Sequence, residues 1–240
     1  MELDSGKQNG IPKLIQILLI CDIILVILYL GNHFIDYPFS WFTDFIDLDN
    51  ENNLPAWYSS IQIFLLAITS GMYLRNLSSE QQKLNKLAWI VPLLFVLMSL
   101  DEIAMIHEEF GEMTDFFLAG GTRRNTIFRV TGIWMFIVGI PFFALMLGII
   151  LHLKNKIGNI PGVINKLILG LVIYVVSAAG IEILSNFFRR GAGYLTQVVL
   201  EEFGEMLGVT IVLWGIVELL STQGINFNKL LPRITKSERL

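Results

Sequence analysis

The chain has 240 residues, 54% of them hydrophobic and only 16% charged, with 17 basic against 21 acidic side chains and one cysteine. A mean hydropathy of +0.62 and a charged fraction well below the roughly one quarter of soluble domains exclude a water-soluble globule. The lone Cys21 excludes a disulfide scaffold, and the mild acidity argues against a nucleic-acid partner. What remains is an all-α, polytopic integral membrane protein.

About 20 apolar residues in a helix cross a bilayer core of roughly 30 Å. Six stretches qualify, approximately 12–30, 55–74, 87–106, 127–153, 164–187 and 194–220, and together they predict a six-helix transmembrane bundle forming one domain over 1–240. The first stretch follows Lys7 and Lys13 but is too long for a signal-peptide core. Asp22 interrupts it and no small-residue cleavage site follows, so it is expected to be retained. Between the first two spans, 31–54 mixes Phe34, Tyr37, Phe39, Trp41, Phe42 and Phe45 with aspartates, which predicts a short interfacial helix or a cap over the acidic region. Pro92 and Pro141 predict kinks in the third and fourth spans.

Basic residues orient the bundle. With the N-terminus in the cytoplasm, 12 of the 17 basic residues fall inside, every lysine among them, and residues 221–240 form a basic cytoplasmic tail. Both termini are therefore expected inside, in the plasma membrane. The opposite end keeps only Arg123, Arg124, Arg129, Arg189 and Arg190, against 15 of the 21 acidic residues. Such repulsion calls for a cation or for protonation.

A six-residue repeat marks that end. Glu108-Glu109-Phe110-Gly111-Glu112-Met113 closes the third span and Glu201-Glu202-Phe203-Gly204-Glu205-Met206 opens the sixth. With the two spans running in opposite directions, both copies are expected at a similar depth. At about 100° per residue, Asp101, Glu108 and Glu112 share one helical stripe, as do Gln197, Glu201 and Glu205, and as do Glu182, Asn186 and Arg189. Gly204 and Gly208 at G-x-x-x-G spacing predict close packing of the sixth span against protein rather than lipid. Asp101 and Glu102 lie well inside the bilayer, where ionisable groups have partners or a function.

The resulting candidate metal-binding set is Asp101, Glu102, His107, Glu108, Glu112, Glu182, Glu201 and Glu205. Two E-x-x-E units parallel the di-metal plan of helical bundles, with Glu in place of the usual His. All-oxygen ligands suit Ca²⁺, Mg²⁺ or Mn²⁺ better than Zn²⁺, and His107 favours Fe or Mn. The cofactor expected is thus a divalent metal ion, with Fe, Mn, Ca and Zn left open. His107-Glu108-Glu109-Phe110-Gly111 misses the second His of a zincin motif. Asp47–Asn52 opens like a calcium loop but lacks Gly at its sixth place, and Tyr58 stands where the bidentate Glu belongs. No nucleophile elbow, P-loop or C-x-x-C occurs, and His33 and His152 sit near opposite faces.

Three functions fit. The first is a membrane metalloenzyme acting on a lipid or quinone at the outer leaflet, with the five arginines as substrate or charge partners. The second is a proton- or metal-cation-coupled transporter or channel, with Asp22 as a relay. The third is a structural or sensory subunit locked by Glu–Arg pairs. The nearly apolar inner half favours the enzyme, because no polar path crosses it.

Overall fold

The computed structural model describes residues 10–77, 79, 86–118, 120–157 and 162–225, and all regular structure among them is helical. The α-helices are α1 (Lys13–Phe34), α2 (Ser40–Ile46), α3 (Leu54–Arg75), α4 (Ile90–Ala104), α5 (Ile106–Thr114), α6 (Ile140–Ile157), α7 (Val163–Val175) and α8 (Gly191–Thr222). Lys7, Lys83 and the tail from 226 to 240 lie outside the described residues, as do the side chains of Lys154 and Lys156.

In α1 the buried positions Ile15, Leu18, Asp22, Leu25, Tyr29 and Asn32 alternate three and four residues apart, one continuous seam against α8. Ile17, Ile20, Ile24 and Ile27 point outward. The helix α3 starts where the Asn53 side chain accepts the amide of Ala56, with Pro55 in its first turn. Its polar residues Ser59, Ser60, Gln62, Thr69 and Ser70 are buried, while Trp57, Ile61, Phe64 and Ile68 are exposed. That is the reverse of a soluble amphipathic helix: polar groups face protein partners, and an apolar stripe faces the surroundings.

Among the described residues, four stretches are long and apolar enough to cross a membrane: Lys13–Phe34, Met135–His152, Val163–Asn186 and Gly191–Thr222. A fifth exists if Ile90–Ala104 and Glu109–Phe117, bent by 92° at a short break, count as one span. The sequence reading expected six. The helix α3 is long enough at 22 residues, about 33 Å, but its inward-facing hydroxyls and amide lower its apolarity. The fourth span starts later than expected, at Met135, because 126–133 form turns around Gly132 at φ 70°.

The break in the third span is local in origin. Met105 adopts a left-handed conformation at φ 55°, and the Asp101 carboxylate accepts the His107 backbone amide at 2.7 Å, capping the new helix α5. Pro92 lies in the first turn of α4, where its missing N–H removes no helical bond. Pro141 follows a π-helical turn over Met135–Gly139, and a second π turn over Val176–Ile181 extends α7 before a 3₁₀ turn over Glu182–Asn186.

The closest helix approach is α7 against α8. A Cβ on Gly170 would lie 2.6 Å from the Gly208 carbonyl, and one on Gly204 would overlap the Ser177 hydroxyl. Gly204 and Gly208 thus face protein, as their spacing implies. Ile15, Ile63, Leu66, Val163, Leu213 and Leu220 fill the half of the bundle near Arg75, Lys86 and Lys166, here called the basic end.

Candidate functional site

At the opposite, acidic end the break at Met105 brings Asp101 and His107 together. One Asp101 oxygen caps α5 and the other lies 3.2 Å from His107 Nδ1. His107 Nε2 lies 3.7 Å from Glu51, and the ring stacks at a tilt on Trp134, 5.2 Å between centroids. Glu102, one position on, accepts the Ser59 hydroxyl of α3 and lies within electrostatic range of His107 and Asp101. From α8, Glu202 and Glu205 fall in range of Glu102, and Glu201 and Glu182 flank them. Gln197 donates to Glu201 one turn on, so the stripe expected on α8 is present. Tyr174 of α7 lies within electrostatic range of Glu205, Glu102, Asp101 and Glu202.

Two of the expected stripes are corrected. Asp101, Glu108 and Glu112 cannot share a helical face, because the chain turns by 92° between them. Glu112 is exposed, and the Glu108 side chain lies outside the described residues. The two copies of the repeat are therefore not equivalent, one lying after the break and the other in the uninterrupted α8. Glu182, Asn186 and Arg189 also diverge, since the 3₁₀ turn over Glu182–Asn186 shifts the helical phase and the helix ends before Arg189. Asn186 is buried and ties the preceding loop, binding Val130 N at 2.9 Å and Thr131 Oγ1 at 3.0 Å, whereas Arg189 is exposed. Among the described residues, no group of three or more His, Cys, Asp or Glu side chains is placed to hold a metal ion.

The arginines occupy other roles. Arg123 is half-buried and pairs with Asp115 at 2.8 Å. Arg129 reaches the Asn186 carbonyl, at 3.5 Å, and it, Arg124 and Arg190 are exposed. In the loop before α3, Asp49 accepts the Tyr194 hydroxyl and its amide donates to Asp47. Burial pushes both carboxyls above their ordinary range. The Tyr194 hydrogen bond partly offsets this for Asp49, while neighbouring Asp47 adds to it.

A second polar layer lies deeper, at Asp22. Its carboxylate is fully buried and accepts Tyr58 Oη at 2.6 Å, Gln62 Nε2 at 2.8 Å and Thr210 Oγ1 at 3.1 Å. Beneath it the packing is apolar: Ile63, Leu66 and Leu213 are almost wholly buried.

Beside Tyr174 opens a small apolar pocket of about 30 Å³. Phe95 and Met98 of α4, Phe142 and Met146 of α6, and Leu171 and Tyr174 of α7 form most of its wall. It exists because α4 leans on α3 and α6 leans on α7, leaving space between the pairs.

The sequence reading missed Glu51, Ser59, Tyr58, Gln62, Thr210 and Tyr174. Polar residues inside a 22-residue helix were the available signal for those of α3. Glu51 and Tyr174 carry no such mark, because contacts across the bundle alone recruit them.

No curated protein and no solved structure matches the chain. One family profile does, over residues 17–219, which runs from α1 through α8 and takes in both polar layers. The chain belongs to that family, described as a domain of unknown function, DUF8692.

Proposed function

We propose that the chain is a plasma-membrane protein of six crossings, with α3 counted as one and both termini in the cytoplasm. In this reading its acidic end faces outward and serves a cation-dependent membrane enzyme whose substrate is a lipid or quinone. The pocket at Tyr174 carries the reading. It is apolar, a small opening of about 30 Å³ that an acyl or prenyl chain would have to widen, and Tyr174 on its wall lies within electrostatic range of Glu102 and Glu205. An amphiphile with its apolar body in the pocket would present its head to carboxylates able to act as general acid or base, or to share a divalent ion. Glu102, Glu202 and Glu205 would be its ligands, after side-chain rotation.

A cation-coupled transporter is the second reading, favoured by the buried polar layer at Asp22, and the apolar packing beneath that layer weighs against it. Locking by Glu–Arg pairs is weaker still, because the half-buried Arg123 is committed to Asp115. The test is metal content, together with native mass spectrometry of bound amphiphiles, for the detergent-purified chain and for Glu102→Gln with Glu205→Gln. Stoichiometric Fe, Mn, Ca or Zn, and a lipid or quinone that is lost in the variant, support the enzyme. Absence of both from the wild type overturns it.

A further inference from the structure

We propose that Asp22, Tyr58, Gln62, Thr210 and the Leu18 carbonyl form a site for one monovalent cation, Na⁺ first among them, at the junction of α1, α3 and α8. The ligand set is built from oxygen. Asp22 offers both carboxylate oxygens, Tyr58 and Thr210 their hydroxyls, and Leu18 a carbonyl 2.9 Å from Tyr58 Oη. The Gln62 amide nitrogen sits amid three of these oxygens, 2.8 Å from Asp22, 2.9 Å from Tyr58 and 3.0 Å from Thr210.

The layer is short of positive charge and of hydrogens. Two N–H of Gln62 and one O–H each of Tyr58 and Thr210 must serve six short contacts. The other amide atom, Gln62 Oε1, is buried with no partner. Turning the amide by about 180° exchanges its two ends, placing that oxygen in the nest as a further ligand. Among the described residues, the groups acting on Asp22 are Tyr58, Thr210 and Gln62, none of them cationic. A fully buried carboxylate without a counter-charge costs several kcal/mol, so a bound cation resolves the charge and the surplus of acceptors together.

Stoichiometry of charge selects the ion class. One carboxylate with neutral oxygens balances a monovalent ion, whereas a divalent ion would leave a net positive charge in the apolar core. The ion reaches the site from the acidic end, where surplus carboxylates concentrate cations and where Ser59, next to Tyr58, already holds Glu102. Below Asp22, Ile63, Leu66 and Leu213 close the way. The ion is thus held and not passed through, and it joins three helices. This holds whether or not the bundle is an enzyme.

The experiment is equilibrium binding of radioactive Na⁺ to the purified full-length chain in detergent, beside thermal unfolding in NaCl replaced stepwise by choline chloride at constant pH. One Na⁺ per chain is expected, with a melting temperature that climbs with the logarithm of Na⁺ concentration above the dissociation constant. Asp22→Asn and Thr210→Val should each weaken binding about tenfold or more, 1.4 kcal/mol per decade. Ser60→Ala, which removes a different buried contact between helices, should retain it. If Asp22→Asn does not fold, Thr210→Val carries the comparison. No saturable Na⁺ binding to the wild type, or a melting temperature that responds to acidification and not to Na⁺, overturns the site in favour of a protonated Asp22.

Discussion

Changing Gly208 to Ala probes the tightest packing in the bundle. The added Cβ would lie 2.7 Å from Tyr174 N, 2.8 Å from the Gly170 carbonyl oxygen and 2.9 Å from Tyr174 Cα, where ordinary contact begins at 3.4 Å. All three neighbours are backbone atoms, so no side chain can turn away. The helices α7 and α8 must instead part by about 0.6 Å, loosening the contacts of Gly204 with Ser177 and of Gly215 with Leu167 along the same seam. Overpacking of this kind costs about 1–3 kcal/mol, and the rigid neighbours place Gly208→Ala near the upper part of that range. At roughly 2–4 °C per kcal/mol for a chain of this size, the melting temperature in detergent should fall by about 5–10 °C. Gly148→Ala on α6, where the new methyl meets nothing within 4 Å, should leave stability unchanged or raise it by up to about 1 kcal/mol. A Gly208→Ala protein that melts with the wild type, or a Gly148→Ala protein that loses as much, would refute the close-packed seam.

Three further outcomes follow from the same geometry. Ser60 and Ser99 each donate to the other's backbone carbonyl, at 2.7 and 2.9 Å. Each change to Ala should therefore cost about 1 kcal/mol, and because the two hydroxyls also meet each other at 2.9 Å, a double-mutant cycle by chemical unfolding should show coupling; strict additivity would mean the hydroxyls do not touch. Met105→Gly relieves a side chain held at φ 55° and should stabilise by about 0.5–1 kcal/mol; a loss of stability would argue against the left-handed break. Asp47 and Asp49 have folded-state carboxyls raised above their ordinary range, so the folded chain binds more protons there than the unfolded one. Their contribution is complete below the ordinary carboxylate range, about pH 4, and is lost as pH rises through the raised values. Melting temperature should decline over that window, and Asp49→Asn should flatten the decline; identical pH curves for the two proteins would contradict the burial of Asp49.

The helices long and apolar enough to cross a membrane were legible because hydropathy is a local average, readable over any 20-residue window, and the apolar stripe of α1 is written in its isoleucines. Gly204 and Gly208 also declared their role, since within an unbroken helix a four-residue spacing sets the facing side whatever the partner. Gln197 and Glu201 fell together for the same reason.

The tertiary structure decided what lies beyond one helix. A stripe holds only while the helical phase continues, so the left-handed Met105 separates Asp101 from Glu112, and the 3₁₀ turn at Glu182–Asn186, after which the helix ends, separates Glu182 from Arg189. The helix α3 reads as weakly apolar in isolation and becomes intelligible only when its polar face meets α1, α4 and α8. Asp22 is the sharpest case: its partners lie 36, 40 and 188 residues away. A buried carboxylate must find donors or a cation somewhere, a demand its own sequence neighbourhood states but only the packing of three helices can answer.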